Sequence, residues 1–476
     1  MGRYRYLLKN IGLLTLSSFA TKLLSFFLVP LYTNILTTTE YGIYDLFNTT
    51  VGVLVPIFTL NIETAVMRFA LDSKYDRKFT IMVGMKYFIV GMLFVTTGLA
   101  VNYYFGWSTV AKDYAAFFWM MYLTQSLSGI VYAYVRGIEH IADLSFSSIV
   151  NSIVVITCNI VFLTVFKWRL SGYFLANTIG PVFQCIYLLI KTQSVAGIKL
   201  SGKYKRQEKE MLAYSRPMIA NSVAWWVNNM SDRYIVIFFC GLAENGVYSV
   251  SSKIPSIINA FQGIFSQAWS LSAVKDFDKD DRGGFFANTY KSYNCFMVLI
   301  CSTLVIADKL LAKVLYANDF YMAWKYVPWL SIAMVFGALS GYMGGFFSAV
   351  KNSKIFAQST IIGAGVNIVL NLILTPVMGA LGAAIATTVC YFVTWVFRYL
   401  HSKKIISMKI NIMRDVVSYA VLVVQAMALI AITDDVVMYF VEMAFFVFEL
   451  ILYYKDIKMI MKKVIVMLKK QVDIDL

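Results

Sequence analysis

The chain has 476 residues, of which 59% are hydrophobic and 14% are charged, and its formal net charge is +16. Uncharged apolar runs of about 20 residues recur from end to end, so the composition excludes a soluble globular protein and predicts a polytopic membrane protein. The basic excess alone would also suit nucleic-acid binding, and the distribution of the charges decides between the two explanations.

Apolar runs long enough to span a bilayer as helices predict about fourteen transmembrane segments. The first run follows the basic stretch MGRYRYLLKN and contains no small-residue cleavage site, so we expect a retained helix. In chain order the predicted spans are 11–33, 42–63, 81–104, 115–135, 146–166, 171–190, 217–240, 246–271, 292–314, 328–349, 356–376, 380–399, 415–432 and 436–454. The predicted fold class is an all-α bundle, because barrel strands would be about ten residues of strict alternation.

Lysine and arginine are concentrated in alternate loops. With a cytoplasmic amino terminus, the basic loops on the cytoplasmic side are 3–9, 68–78, 191–216, 275–291, 351–354, 398–414 and 455–470. This asymmetry follows the positive-inside rule and predicts that both termini are cytoplasmic. Topology therefore explains the net charge, and no nucleic acid is expected as a partner. The basic tail 455–470 is predicted to lie along the inner membrane surface as an amphipathic helix.

A short motif occurs twice, as EYGIY at 40–44 and as ENGVY at 244–248. The segments 158–178 and 366–388 also match loosely, each with an Asn-bearing helix, a turn and a small-residue helix. These echoes predict two six-helix lobes related by a pseudo-twofold axis along the membrane normal, with a central site between them. The predicted parts are a lobe at 1–190, a basic cytoplasmic linker at 191–216, a lobe at 217–400, and an extra helix pair with the tail at 401–476.

Charged residues within apolar runs are the candidate functional residues. A Lys or Arg at mid-helix costs about 2.5–3.5 kcal/mol on insertion scales, so each needs a partner or an aqueous cavity. Lys22, Arg233 and Lys253 are predicted to face a central cavity, with structural pairing inside the bundle as the alternative. The acids Asp45, Glu63 and Asp232 are candidates for gating or ion coupling.

The sequence offers little for catalysis. The six cysteines have no CxxC spacing, so neither disulfides nor a metal site are predicted. The stretch GIKLSGKY (197–204) nearly matches a phosphate-binding loop, but Tyr204 stands where a magnesium-binding Ser or Thr is required. We therefore expect neither an enzyme nor a cofactor.

Three stretches carry a family resemblance: EYGIYDLF, SDRYIVIFFCGLAENGVYSVSSKIP and STIIGAGVNIVLNLILTPVMGALGAAIATT. They resemble the bacterial polysaccharide-unit (O-antigen) flippases of the Wzx type, within the superfamily of multidrug, oligosaccharidyl-lipid and polysaccharide exporters. The resemblance implies a multi-pass protein of the bacterial cytoplasmic (inner) membrane. It would move undecaprenyl-diphosphate-linked oligosaccharide units to the outer leaflet by alternating access.

The resemblance also implies a role in O-antigen (lipopolysaccharide), capsule or exopolysaccharide assembly, with membrane lipids, a polysaccharide polymerase and a chain-length regulator as partners. By position, Lys22, Arg233 and Lys253 match the cavity cations that hold the anionic head group in this family.

Three rival functions stay open. An ion-coupled multidrug exporter with cationic substrates would favour acids in the cavity, whereas the mid-membrane candidates are mainly basic. A flippase for a peptidoglycan or teichoic-type precursor would differ only in substrate. A membrane polymerase would need a large outer loop that the sequence lacks. The glycan and any coupling ion are not fixed by the residues.

Overall fold

In the computed structural model, residues 26–193, 205–275, 277–350 and 352–462 are described, and every regular element among them is helical. The predicted all-α class is therefore confirmed. The described residues form two compact units. The first comprises those up to Gly246 with Ala317–Phe320, and the second comprises Val247–Tyr316 with those from Tyr321 onward. The lobe boundaries predicted from the repeat stay a prediction.

The first unit is a bundle arranged around its sixth helix. It contains α1 (Val29–Ile35), α2 (Thr38–Phe58), α3 (Ile62–Leu71), α4 (Arg77–Phe105), α5 (Thr109–Asp113), α6 (Ala115–Gly137), α7 (Ile141–Ile160), α8 (Arg169–Lys191) and most of α9 (Lys205–Ser251). Helix α6 packs against α2, α3, α4 and α8. Val66, Ile130 and Leu188 are buried in the core that results.

The second unit is built around a helix that is buried on most sides. Its remaining helices are α10 (Ser256–Lys275), α11 (Phe285–Leu315), α12 (Val327–Ala349), α13 (Ser353–Met378), α14 (Ala380–Ser402), α15 (Ile412–Ala431), α16 (Asp435–Leu452) and α17 (Tyr454–Lys462). Helix α12 packs against α10, α11 and α14. Small residues permit this close packing, since the indole of Trp269 lies over Gly345 and donates to the Tyr342 carbonyl at 2.9 Å.

Nine helices within the described ranges are long and apolar enough to cross a membrane, and two bent pairs raise the number to eleven. All eleven coincide with predicted spans. The predicted spans 115–135 and 246–271 form α6 and α10, which fall outside that count, and 11–33 lies mostly beyond the described residues. The count of fourteen is therefore not confirmed.

Two predicted spans are interrupted. Helix α2 ends just after Pro56, and the chain turns through Leu60 and Asn61, both at positive φ, so that α3 bends away by 61°. Residues 252–255 separate α9 from α10, and the turn ends at Pro255. Proline disfavours a helical residue before it, which explains the break at Pro255. The break after α2 occurs at the two residues with positive φ.

The described part of the predicted linker, 205–216, forms the first turns of α9 and contacts the first unit. The Glu208 carboxylate accepts hydrogen bonds from Lys86 Nζ at 2.7 Å and from the Tyr87 hydroxyl at 3.0 Å. The Tyr75 hydroxyl donates to Glu210 at 3.0 Å, and this hydrogen bond raises the pKa of Tyr75. Residues 194–204 lie outside the described ranges.

Candidate functional site

The two copies of the repeated motif contact each other at their glycines. A methyl group in place of the Gly42 hydrogen would lie 2.0 Å from the Leu242 carbonyl oxygen, and one on Gly246 would lie 2.0 Å from the Thr38 oxygen. Thr38 and Leu242 each precede the motif glycine by four residues, so the contact has local twofold symmetry. Only glycine permits two helix backbones to approach this closely.

The first motif also begins a helix, α2. Thr37 caps α2, because its hydroxyl accepts from the Glu40 amide at 3.2 Å while the Glu40 carboxylate accepts from the Thr37 amide at 2.8 Å. Arg169 completes the arrangement with two hydrogen bonds to Glu40, at 3.0 and 2.7 Å. At the equivalent position of α9, Gly241 has φ +88° and interrupts the helix. The glutamate of the first motif is thus a capping residue.

The close approach of α2 and α9 at Gly42 and Gly246, which we name the glycine crossing, places a cluster of polar side chains between the two helices. Arg233 Nε is 3.0 Å from Asp45 Oδ2, and Arg233 Nη1 is 3.6 Å from Asp232 Oδ1. The side chains of Arg233 and Asp45 are only 12% and 10% exposed. Asn245 of the second motif donates to Asp45 Oδ2 at 3.2 Å. Each buried charge therefore has an opposite charge beside it, which is the condition for tolerating it there.

A cavity of about 430 Å³ lies one helical turn from this cluster, beside Thr49 and Met230. Its lining is mainly amide, hydroxyl and indole side chains, contributed by α2, α3, α6 and α9. The lining residues are Asn48, Thr49, Gly52, Val55, Pro56, Glu63, Gln125, Asn221, Ser222, Trp225, Trp226 and Met230.

Hydrogen bonds fix several of these side chains in place. Trp226 Nε1 donates to the Thr49 carbonyl at 2.8 Å, and Gln125 Nε2 donates to Asn48 Oδ1 at 2.8 Å. Amides and hydroxyls can donate to and accept from sugar hydroxyls, and indoles offer an apolar face.

Glu63 is the ionisable residue among the described residues that line this cavity. Its carboxylate has no hydrogen-bond or ion-pair partner within the described ranges. It rests against Gly129 of α6, where an added methyl group would lie 2.2 Å from Glu63 Oε2. Gly129 therefore makes room for an acid at the cavity wall.

A second cavity of about 440 Å³ adjoins the first inside the same unit. Gln125 lines both cavities, and Gly129 lines the second. The second also has a polar lining, with Tyr44, Tyr132 and Asn177 among its residues. Polar side chains of α6 therefore contribute to the lining of both cavities.

The predicted site residues do not all meet in one place. Asp45, Asp232 and Arg233 form the ion-pair cluster, and Glu63 lines the neighbouring cavity. Lys253 lies in the second unit, partly buried in the turn before α10, with no ion-pair partner among the described residues. Lys22 lies outside the described residues. The cavity roles of Lys22, Arg233 and Lys253 stay predictions, as do the gating and coupling roles of the acids.

Sequence reasoning missed the uncharged part of the site. Asn48, Gln125 and Asn221 lie within predicted spans but are uncharged, so a search for charged residues does not detect them. The signal that was available is the placement of amides within membrane spans, which is unfavourable unless they bond to each other or to a ligand.

The fold is shared with membrane flippases and transporters of known structure. The lipid II flippase MurJ in an inward closed conformation matches with a TM-score of 0.65 and 13% identity, covering 94% of this chain and 99% of that chain. An inward-facing MATE-family multidrug resistance transporter of the MOP superfamily matches with a TM-score of 0.62 and 10% identity, covering 82% and 95%. A MATE transporter in the straight conformation gives 0.58 and 11%, covering 84% and 96%.

The family follows from the sequence itself. The profile of the family described as Polysaccharide biosynthesis protein matches residues 7–271, which is more than half of the chain. The chain belongs to this family, and the predicted family resemblance is confirmed. No curated protein matches the sequence significantly. The family is thus shown by the sequence, and the likeness to these solved structures shows the fold.

Proposed function

We propose that this protein moves undecaprenyl-diphosphate-linked oligosaccharide units from the cytoplasmic to the outer leaflet of the bacterial inner membrane, for O-antigen, capsule or exopolysaccharide assembly. The observation that carries the proposal is a cavity of amides, hydroxyls and indoles inside a member of the polysaccharide biosynthesis family. A flexible polar glycan needs many hydrogen-bonding partners and few fixed charges, and this lining supplies them.

The proposed movement is physically reasonable for such a substrate. The sugar is too polar to cross lipid unaided, whereas the polyprenyl tail stays in the bilayer. An inside-negative potential favours outward movement of the diphosphate, by about 2.3 kcal/mol per charge per 100 mV. Alternating access of the two predicted lobes would expose the cavity to one leaflet at a time.

In this proposal Lys22 and Lys253 hold the diphosphate. Lys253 supports the role because it has no ion-pair partner among the described residues. Arg233 would contact the head group only if its pairs with Asp45 and Asp232 opened during transport. A polysaccharide polymerase and a chain-length regulator would act on the delivered unit.

One observation favours a second candidate, an ion-coupled exporter of cationic compounds. Glu63 places at the cavity wall a carboxylate that has no ion-pair partner among the described residues, as such an exporter would require. A flippase for a peptidoglycan or teichoic-type precursor is a third candidate, and only the substrate distinguishes it from the first.

The proposal is tested in inverted membrane vesicles that carry undecaprenyl-diphosphate-linked oligosaccharide in the outer, cytoplasm-derived leaflet. Loss of glycan from attack by a membrane-impermeant glycosidase reports transfer to the lumen. We compare wild type, vesicles without the protein, Gln125→Ala with Asn221→Ala, and Lys253→Ala. Arg282→Gln, in which a largely exposed arginine is changed, is the matched control.

Protein-dependent protection that the control retains and the cavity variant loses is the expected result. Protection that both cavity and Lys253 variants retain would keep the function and discard this site. If no lipid-linked glycan is transferred, but a cationic dye is exported in a Glu63-dependent manner, the exporter replaces the flippase as the function.

A further inference from the structure

Helices α11, α15 and α16 pack against one another in the second unit and bury a line of polar side chains along their shared boundary. Along the chain through α16 and α17, acids occur every seven residues, at Asp435, Glu442, Glu449 and Asp456. The same spacing occurs at Asn411, Ser418 and Gln425 on and before α15, and at Asn294, Cys301 and Asp308 on α11. A seven-residue repeat keeps these positions on one face of packed helices. We name this set the polar seam.

In the half of the polar seam near Arg414, each acid has at least one bonded partner. Arg414 pairs with Asp415 at 3.0 Å and also with Asp456. Ser418 donates to Glu449 Oε2 at 2.8 Å. Polar groups that bond in this way are stable inside a bundle, so this half needs no ligand to explain it.

The other half of the polar seam contains two acids without such partners. Asp308 and Glu442 are 0% exposed, and among the described residues none donates a hydrogen bond to either oxygen of either carboxyl group. The Gln425 amide lies near Glu442, but its Nε2 donates to the Ser302 carbonyl oxygen, at 3.4 Å. The two carboxyl groups are close enough to interact electrostatically.

Lys309 attracts both carboxyl groups electrostatically, but among the described residues its ion pair is with a third acid. Lys309 Nζ is directed to Asp435, at 3.5 Å, and lies 4.9 Å from the centre of the Trp324 ring. Gln425 is the neutral neighbour on α15. The titratable groups around the pair are Cys301, Lys309 and Lys313 on α11, Asp435, Tyr439 and Glu449 on α16, and Tyr321.

An ionised carboxylate buried without partners is strongly unfavourable, and binding a proton removes the charge. We propose that Asp308 and Glu442 form a proton-binding site, and that its protonation and release couple the extra helix pair to transport. Proton binding forms one O–H bond on a carboxylate oxygen, and release breaks it. The coupling rests on the proposed transport function, whereas the proton binding does not.

A proton fits this site better than a metal cation. Within the described ranges, no three His, Cys, Asp or Glu side chains are grouped so that they could hold a metal ion. Lys309 links the site to the surface of the chain, because it contacts Asp435, whose side chain is 56% exposed.

The test uses the full chain, purified and reconstituted in lipid. Infrared difference spectroscopy across a pH series records the carbonyl stretch of protonated carboxyl groups, which needs no substrate. The variants are Glu442→Gln and Asp308→Asn, which keep the side-chain shape and cannot ionise. Asp434→Asn is the matched control, because Asp434 is exposed and caps α16, and asparagine also caps helices.

We expect a titrating carboxyl signal in the wild type and the control that is reduced in each variant. A wild-type protein without such a signal overturns the proposal, even if a variant fails to fold. So does a signal of undiminished size in both folded variants.

A second measurement separates this proposal from the proposed function. In vesicles, glycan transfer by the wild type is measured with and without an imposed pH gradient, beside uptake of protons reported by a pH-sensitive dye. Gradient-stimulated transfer that Glu442→Gln loses supports coupling. If glycan transfer is the same with and without the gradient, and in both variants, the proposed function stands and the coupling is wrong. If proton uptake depends on Glu442 but no glycan is transferred, the proton-binding site stands and the proposed function is wrong.

Discussion

The Arg233 guanidinium is held between Asp45 and Asp232 in a nearly dry environment. Such a pair contributes little net stability over an apolar replacement, but removal of one partner leaves a buried charge alone. We predict that Arg233→Gln lowers the free energy of unfolding by about 3–5 kcal/mol. Thermal unfolding of the purified protein in detergent measures the loss.

The triple variant Asp45→Asn, Asp232→Asn and Arg233→Gln is the control for that loss. It removes all three charges of the cluster, so most of the stability should return. If the triple variant is as unstable as the single one, the ion pairs are not the reason for the loss. A stable triple variant that no longer transports would show that the cluster acts in transport.

Gly129 sets the position of the Glu63 carboxylate. A methyl group there would lie 2.2 Å from Glu63 Oε2, so the carboxylate must move. We predict that Gly129→Ala impairs transport much as Glu63→Gln does. Transport assays on both variants and on Glu63→Gln with Gly129→Ala measure this. Additive losses in the double variant would show that Gly129 acts independently of Glu63.

At the residue scale, the sequence showed which charges are unusual but not what they contact. A charge inside an apolar run is visible because its cost does not depend on the fold. Its partner is not visible, since Asp45 and Arg233 lie far apart in the chain and meet only through the glycine crossing. Uncharged residues such as Gln125 gave no comparable signal, and Lys22 lies outside the described residues.

At the scale of the helices, the contact between α2 and α9 depends on Gly42 and Gly246, which have no side chain to separate the two backbones. We predict that Gly42→Ala and Gly246→Ala each lower the free energy of unfolding by about 1–3 kcal/mol, because each methyl group would meet backbone. Chemical or thermal unfolding of the purified variants measures the effect.

Gly98→Ala is the matched control for that prediction. Gly98 lies within α4 and has open space around the position of the added methyl group. Helix propensity alone should make this variant more stable by about 0.5–1 kcal/mol. Equal losses in all three variants would mean that the glycine crossing has no special role.

The elements themselves were largely predictable, but their continuity was not. Apolar length alone locates a helix in a membrane protein, and eleven predicted spans coincide with observed ones. Apolar length does not reveal a bend within a span, because the residues on both sides of the bend are equally apolar. Pro56 and Pro255 were visible in the sequence, yet proline within spans is common and does not always break them.

For the whole molecule, the distribution of basic residues predicts the orientation in the membrane. A periplasm-dependent reporter enzyme fused after Lys112 or Lys325 should be active, and one fused after Lys279 or Lys404 should be inactive. Enzyme activity in intact cells, normalised to the amount of fusion protein, measures this. If the Lys279 fusion is the one unexpected result and is active, the predicted orientation of that loop is wrong. If all four fusions give the opposite activity, the predicted topology is inverted.

The polar seam also acts at the scale of the whole molecule, because it joins the extra helix pair to α11. The acids Glu442 and Glu449 and their seven-residue spacing are visible in the sequence. The proximity of Asp308 to Glu442 is not, since it depends on how the helices pack.

The glycine crossing has a consequence for the history of the two motifs. Gly42 and Gly246 each face the main chain of the other copy, and a main chain carries no side chain that a later mutation could shorten. A larger residue at either position therefore has no compensating substitution directly across from it. Other positions of the repeat differ between the two copies, as Tyr41 and Asn245 do. We therefore expect glycine to be retained at both positions.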